Sequence, residues 1–344
     1  MIILDKKGVD TDIFIQKSQL SIEIDTTPEE GEIIWNLPNG TKFYNSSFTN
    51  IPATLNLEAV DNADRMFESC SNLESVNIIN STNLTTALNM FKDCENLQYV
   101  SPLNLSNCTT TQNMFNSCEK LESVDITTSD KLTNAKSMFR ECNNLTSITE
   151  FITTNVTDMN GIFFNCGSLT SIPELDCSNV TDMGNAFGYC KSLTSIPELN
   201  TSNVTVIVGL FNNCTGLTTI PELNTSKANS MNGLFRDCWN LISLPELNCS
   251  NVTDMSEMLL NCRKLINVGG FTDLGKAFTN KNYTLDLSDL IALTKESFLN
   301  IINKLYNLND IGYTSVAYIT VPQHIYQTLT DEEKAIATNK GWTL

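Results

Sequence analysis

The 344-residue sequence has a single histidine, His324, and this shortage limits its chemistry. The hydrolase motif G-x-S-x-G and the metalloprotease motif H-E-x-x-H are absent, as are the Gly-rich motifs of P-loop and Rossmann nucleotide sites. The sequence therefore does not contain the motifs of the common hydrolase and nucleotide-binding sites. We predict that the protein is not an enzyme and that it needs no cofactor and no metal.

Basic residues are also scarce, because 21 lysines and arginines face 39 aspartates and glutamates and leave a net charge of −18. Nucleic acids and anionic membranes bind clustered lysine and arginine, so neither is expected as a partner. No apolar run approaches the roughly 18 residues that a membrane-spanning helix needs. The opening MIILDKKGVDTDIF carries charges where a secretory signal has its apolar segment. The sequence therefore predicts no membrane insertion and no conventional export signal.

Cysteine, in contrast, is abundant, and nine of the 12 cysteines recur at an interval of 24 residues. A fixed period of this length is typical of a solenoid, in which each repeat forms one coil. Zinc ligands come in close pairs, so we interpret the column as buried, reduced thiols; a redox or metal ladder and disulfides are the alternatives. Replacing Cys190 with serine is expected to cost stability, because the buried hydroxyl needs a partner. The column is Cys70, Cys94, Cys118, Cys142, Cys166, Cys190, Cys214, Cys238 and Cys262.

Apolar residues recur at fixed distances from each cysteine and predict the interior of the coils. An apolar residue, often methionine, precedes the cysteine by four positions and phenylalanine precedes it by three, while leucine and an aliphatic residue follow by three and six. The segment 169–172 predicts a strand of about three or four residues that ends at Pro173, since proline donates no ladder hydrogen bond. The segment 181–187 predicts a single helical or 3₁₀ turn.

Asparagines occupy two further columns, which we interpret as structural ladders. An amide at the same corner of each coil can bond the backbone of its own turn and of the neighbouring turn. Many of these asparagines lie in N-x-S/T triplets, and their density at required corners favours a prokaryotic or viral source over a glycosylated eukaryotic protein. One column is Asn83, Asn107, Asn155, Asn179, Asn203 and Asn251; the other is Asn104, Asp176, Asn200, Asn224 and Asn248.

The repeated pattern NVTDMxxxFxxCxxLTSIPEL resembles the BspA-like leucine-rich repeat of surface proteins from gut and oral bacteria and from mycoplasmas. The resemblance covers residues 55–271 and holds at several columns over nine coils of 24 residues. It implies a right-handed solenoid with a parallel sheet along one face, and a role in adhesion or recognition. We therefore predict an α/β repeat solenoid of the leucine-rich-repeat type with short parallel strands.

Residues 1–54 do not follow the repeat and predict a β-rich N-terminal element, either a cap or an attachment element. Residues 20–24 alternate like a strand. The pair Asn39-Gly40 lies between two apolar segments, 33–35 and 43–44, and indicates a hairpin turn.

Residues 272–344 predict an α/β C-terminal cap, because a solenoid needs an atypical end that covers its last apolar coil. Thr294 is the expected cap of a helix, a strand is expected at 316–321, and Thr330 with Glu333 forms a capping-box signature. The apolar face of the first helix consists of Phe298, Ile301, Ile302 and Leu305.

The strongest candidate for chemistry is an acidic column eight residues after the cysteines. Stacked coils lie about 4.8 Å apart, so these glutamates would form an acidic line. The line is a solvated face, a strip that binds cations or a basic partner, or a carboxylate pair of the glycosidase kind. Calcium needs several oxygens that converge on one point, which regular parallel stacking does not supply. The column is Glu150, Glu174, Glu198, Glu222 and Glu246.

The predicted sheet face carries mostly small hydroxyl groups five residues after each cysteine, which is typical of a spacer. Binding hot spots are enriched in aromatic residues and arginine. Three irregular residues are therefore candidates for binding: Tyr99 within this column, and Trp239 and Arg263 directly after their cysteines.

These observations predict a non-enzymatic binding or structural protein. The ending LTDEEKAIATNKGWTL resembles the tails of repeat proteins from gut bacteria and their phages. With the absent export signal, this favours a virion component of a phage, such as a fibre, tail or head decoration protein, whose partners are other virion proteins or host surface molecules. The alternative is a bacterial cell-surface adhesin of the BspA-like type, and a homo-oligomer is compatible with both.

Overall fold

The computed structural model describes residues 34–47, 49–148, 151–279 and 281–344, together with the backbone of Glu23–Asp25. The chain forms two compact units, unit 1 (Met1–Leu175) and unit 2 (Asp176–Leu344). Within each unit the repeats form coils with short parallel strands, and equivalent residues of successive coils pair, as Ser75 does with Tyr99 and Ser243 with Asn267. The predicted repeat solenoid is therefore confirmed.

The described strands of unit 1 are β1 (Glu23–Asp25), β2 (Ile34–Asn36), β3 (Asn50–Asn56), β4 (Ser75–Ile79), β5 (Tyr99–Val100), β6 (Leu103–Asn104), β7 (Ser123–Val124), β8 (Ile126–Thr127) and β9 (Ser147–Ile148). The first five strands form one sheet in chain order, antiparallel between β1 and β2 and parallel thereafter. β6 pairs with β8 and β7 with β9, again in parallel. A 3₁₀ helix covers Ser81–Asn83.

Unit 2 contains the strands β10 (Ser243–Leu244), β11 (Leu247–Asn248), β12 (Asn267–Val268), β13 (Phe271–Thr272), β14 (Tyr283–Asp286), β15 (Ala317–Thr320) and β16 (Trp342–Thr343). Its helices are α1 (Lys295–Lys304), α2 (Gln323–Tyr326) and α3 (Asp331–Thr338), with a 3₁₀ helix at Leu308–Ile311. β10 pairs with β12 and β11 with β13, while β14, β15 and β16 form a separate parallel sheet. Within the described residues, no helix has the length and apolar character required to cross a bilayer.

Most strands of the coils are shorter than predicted, because β5 to β13 contain two residues each. The strand predicted at 169–172 is not formed, and the coils of Pro197 and Pro221 have no assigned strand. Proline lacks the N–H that a sheet ladder needs, so prolines stacked at the same position interrupt the ladder.

The segment predicted to be a helical turn consists instead of consecutive β-turns, so this prediction was wrong. In the coil of Cys70, the cysteine N–H bonds the carbonyl of Phe67 at 3.1 Å, three residues earlier. The residues one and five positions before each column cysteine have left-handed backbones; before Cys190 they are Tyr189 (φ 63°) and Asn185 (φ 54°). A left-handed residue in every turn prevents a right-handed helix from propagating.

The phenylalanine column forms stacks of nearly parallel rings in the core of each unit. In unit 1, Phe91, Phe115 and Phe139 follow one another with ring centroids 5.3 and 5.7 Å apart. In unit 2, Phe211 and Phe235 stack at 5.7 Å. These separations fit offset stacking, the favourable arrangement of parallel aromatic rings. The predicted apolar interior is thus confirmed.

Thiols of the cysteine column bridge successive coils within each unit. All 12 cysteines are free and buried, as the reduced-thiol interpretation predicts. The Sγ of Cys118 donates to the carbonyl of Phe91 at 3.1 Å, and Cys214 bonds Phe187 at 3.0 Å in the same way. Burial raises the pKa of the Cys118 thiol well above its ordinary value, and it raises that of Cys70 to about 11. Burial therefore favours the protonated thiol, which donates a hydrogen bond and is a poor nucleophile.

The two asparagine columns make different hydrogen bonds, although the sequence predicted bonds to both turns for each of them. In the first column the side-chain amide donates to the backbone of the preceding coil, as from Asn107 to the carbonyl of Thr82 (2.8 Å) and from Asn251 to that of Ser226 (2.7 Å). In the second column the side-chain oxygen accepts the N–H two residues later in its own coil, as at Asn248. The structural interpretation of both ladders is supported.

The N-terminal hairpin was predicted with the wrong partners. Asn39 and Gly40 do form a turn, but β2 pairs with β1 and β3, and residues 43–44 form no strand. Phe43 instead stacks on Phe67 with ring centroids 5.1 Å apart. The phenylalanine column therefore begins within the segment that the sequence assigned to the N-terminal element. Of residues 20–24, where the sequence predicts a strand, the structure describes only the backbone that belongs to β1.

The C-terminal helix and strand predictions are confirmed. Thr294 caps α1 by accepting the N–H of Ser297, and Thr330 and Glu333 form the capping box of α3. α1 closes the open edge of the last coil with polar side chains. Ser297 Oγ accepts the N–H of Val268 at 2.7 Å, and Asn300 donates to the carbonyls of Val268 and Gly269 at 3.1 and 2.8 Å.

Candidate functional site

The acidic column does not act as one uniform line. Glu150 lies outside the described residues. Glu174 belongs to unit 1, whereas Glu198, Glu222 and Glu246 belong to unit 2. Glu246 accepts hydrogen bonds from Lys304 Nζ at 2.5 Å and from the hydroxyl of Thr272, and these bonds hold the pKa of its carboxyl below the ordinary value. This glutamate therefore joins the last proline-containing coil to α1.

An open groove of about 550 Å³ lies beside the acidic residues of unit 2. Glu222 and Glu246 line it together with Asn200, Asn224 and Asn248. The three asparagine side-chain oxygens already accept backbone N–H groups of their own turns, at 3.0 to 3.2 Å. Across the described residues, no three acidic, histidine or cysteine side chains converge as a metal site. The groove is polar, but its oxygens do not form the coordination shell that calcium requires.

The single histidine and the candidate Tyr99 stand apart from the groove residues. His324 bonds the carbonyl of Leu293 at 3.0 Å and lies on α2. Tyr99 is 51 % exposed on β5, opposite the hydroxyl residue Ser75. Tyr99 is therefore available for contact, but no second large side chain of the sheet column accompanies it.

Trp239 and Arg263 are joined by a chain of hydrogen bonds. Trp239 Nε1 donates to Asp237 Oδ1 at 3.4 Å, and Asn261 Nδ2 donates to the same oxygen at 2.7 Å. Arg263 Nη2 in turn donates to Asn261 Oδ1 at 3.3 Å. Arg236 bonds the other oxygen of Asp237 at 3.3 Å and also pairs with Glu257. Two residues that the sequence singled out separately thus belong to one connected surface.

The coils match a known repeat family. The family described as "Mycoplasma protein of unknown function, DUF285" matches residues 39–146, 133–241 and 194–281, which together exceed half of the chain. The chain belongs to this family. The first match begins close to Phe43, where the aromatic stack of the DUF285 repeats begins.

Three of the solved structures that match the chain are described as leucine-rich or leucine-rich repeat proteins, and their sequence identity is low. A leucine-rich cell-surface protein from Faecalibacterium prausnitzii is 13 % identical, with 91 % of this chain and 98 % of that chain covered and a TM-score of 0.37. A Treponema pallidum leucine-rich repeat protein is 17 % identical, with 72 % and 91 % covered and a TM-score of 0.32. A Bacteroides ovatus leucine-rich repeat protein is 15 % identical, with 90 % and 89 % covered and a TM-score of 0.31.

No curated protein matches the chain. The expectation of a phage component stays a prediction.

Sequence reasoning missed three exposed isoleucines of unit 2, of which two lie in the DUF285 repeats with Trp239 and one lies after them. Ile242, Ile266 and Ile291 are 42, 38 and 67 % exposed. The signal for the first two was present: four residues after the cysteine, the column reads threonine from Thr146 to Thr218 and then changes to isoleucine. Ile291 was hidden because the coil that contains it has no cysteine.

Proposed function

We propose that the protein is a non-enzymatic binding protein of the bacterial cell surface with an adhesive role. The observation that carries this proposal is the cluster of exposed large side chains around Trp239 on otherwise uniform coils. Large contiguous apolar patches are rare on monomeric soluble proteins, and they commonly mark interaction sites. A repeat scaffold suits this role, because it presents an extended surface that needs no catalytic centre.

A catalytic role has weaker support. A glycosidase requires two carboxyl groups on opposite sides of a bound sugar. Glu246, which lines the groove of unit 2, is engaged by Lys304 and Thr272. The groove asparagines are likewise engaged by their own backbone. These side chains have structural partners, so the geometry favours binding over catalysis.

A cell-surface location is preferred to a virion location because of the repeat itself. The pattern that resembles BspA-like surface repeats covers 55–271, whereas the resemblance to phage-encoded proteins rests on a short ending. The longer and more specific resemblance supports an adhesin.

Two measurements test the proposal. Antibodies raised against the chain should label intact bacteria that carry the gene, without permeabilisation. The purified, fluorescently labelled chain should bind epithelial-cell monolayers saturably. Labelling only after permeabilisation, detection of the protein in purified phage particles, or the absence of saturable binding would contradict the proposed function.

A further inference from the structure

The last coils of unit 2 expose large apolar side chains at positions where earlier coils carry polar ones. Trp239 is 54 % exposed, and the same position is Lys191 and Thr215 in the two preceding coils. We call Trp239, Ile242, Arg263, Ile266 and Ile291 the apolar corner. None of these side chains supports the core, because all point outward from the buried cysteine and leucine columns.

The members of the apolar corner are neighbours in the stack. The N–H of Ile266 bonds the carbonyl of Ile242 at 2.9 Å, so these isoleucines occupy equivalent positions of adjacent coils. The N–H of Thr294 bonds the carbonyl of Ile266 at 3.2 Å, which places Thr294 at the same position of the next coil. Three residues before each of these positions lie Trp239, Arg263 and Ile291. These three side chains therefore occupy equivalent positions of three successive coils.

The polar atoms of the corner are already fixed in place. The hydrogen bonds that run from Trp239 through Asp237 and Asn261 to Arg263 restrict both large side chains without covering them. Rigid, exposed aromatic and arginine side chains lose little conformational entropy when a partner binds. This combination is typical of binding hot spots.

The charge of the apolar corner indicates which charged group a bound partner must carry. Among the described residues, Arg263 has no carboxylate within ion-pair distance, whereas Arg236 has two and Lys304 has one. The adjacent Lys264 bonds only the neutral side chain of Asn240, at 2.7 Å. In a chain of net charge −18, an unpaired guanidinium beside apolar side chains is complementary to a carboxylate presented from an apolar surface.

We infer that the apolar corner binds a polypeptide segment that presents apolar side chains together with a carboxylate. The inference rests on the proposed binding function and assigns a surface and a partner chemistry to it. A polypeptide fits better than a saccharide, because isoleucines offer methyl groups for side-chain packing and no hydrogen bonds for sugar hydroxyls. Trp239 anchors the segment, and Arg263 pairs with its carboxylate.

A random peptide library displayed on phage tests the inference. The library is selected on the full chain and counter-selected on the double variant Trp239→Ala, Arg263→Ala. We expect enriched peptides that combine leucine, isoleucine or phenylalanine with aspartate or glutamate. As synthetic peptides they should bind at least about tenfold more weakly to either single variant. Tyr318→Ala, which removes another exposed aromatic ring of unit 2, and Lys191→Ala, at the position equivalent to Arg263, should leave the Kd unchanged.

The inference is overturned if no peptide depends on the corner, if enriched peptides are basic, or if acidic oligosaccharides bind in a Trp239-dependent manner instead. Its failure is separable from failure of the proposed function. Cell binding that persists in the double variant removes the assigned surface and leaves the adhesive role intact. A wild-type chain that binds no cells removes the adhesive role, whatever the peptides do.

Discussion

Each coil has an inner turn, which contains the phenylalanine and cysteine columns, and an outer corner that follows it. The residues of the inner turn repeat from coil to coil, whereas those of the outer corner change. The inner turn repeats phenylalanine and cysteine almost without change, because within each unit rings stack on their counterparts and thiols bond the backbone of the neighbouring coil. The outer corner begins one residue after the cysteine, and this residue differs between coils: it is Lys191 in one coil and Trp239 in another. Repetition therefore marks positions that must fit a copy of themselves, and a departure from repetition marks positions that are free to meet something else.

The largest expected effect comes from the inner turn. Phe115 stacks between Phe91 and Phe139 and is fully buried. Phe115→Ala should lower the free energy of unfolding by about 3–5 kcal/mol, because it opens a cavity between two coils and removes both ring contacts. Urea unfolding followed by circular dichroism measures the change.

Tyr99→Ala is the matched control for Phe115→Ala, since it removes an exposed aromatic ring from the same unit. Its effect should stay within about 0.5 kcal/mol. Similar losses in the two variants would show that the stack has no special role and would break the contrast between inner and outer positions.

A smaller effect separates two explanations of the cysteine column. If Cys118 were only a small apolar side chain, valine would replace it better than serine. Because its thiol donates to the carbonyl of Phe91 at 3.1 Å, we expect the reverse. Cys118→Val should cost about 0.5–1.5 kcal/mol, because it removes one of the two hydrogen bonds that the buried carbonyl of Phe91 accepts, the other coming from the N–H of Cys94 at 3.2 Å. Cys118→Ser should cost less because its hydroxyl can still donate.

Urea midpoints of the two Cys118 variants, measured side by side, decide the matter. The expectation from the sequence, that a buried serine lacks a partner, misses the acceptor that the preceding coil supplies. A serine variant that is less stable than the valine variant would restore the purely apolar interpretation.

The repeat, its core columns and the C-terminal capping signals were predictable because they follow from periodicity and from local side-chain chemistry. The helical turn was predicted wrongly, because the prediction did not use the composition of the column to which Asn185 belongs. Six of its nine residues are asparagine or glycine, the types that tolerate a left-handed backbone. The N-terminal hairpin failed because Phe43 continues the aromatic stack, a contact with Phe67 that a local turn rule does not contain. Ile291 was not predicted as a surface residue, because its coil stacks on the preceding one but lacks the cysteine that identifies the other coils.

The smallest effect on stability is expected at the outer corner, where Trp239→Phe and Arg263→Gln should each change the free energy of unfolding by less than about 0.5 kcal/mol. Their effect should appear in fluorescence, because Trp239 is 54 % exposed whereas Trp35 and Trp342 are 7 and 2 % exposed.

Acrylamide should quench the tryptophan fluorescence of the native Trp239→Phe variant much less than it quenches that of the native wild type. Iodide should quench the wild type more strongly than it quenches Arg263→Gln, and caesium should show the opposite order, since the guanidinium attracts anions to the indole. Equal iodide quenching of wild type and Arg263→Gln would mean that the guanidinium does not act near Trp239. The apolar corner would then lose the charge that selects a carboxylate-bearing partner, and only its apolar surface would distinguish it from the rest of the coil.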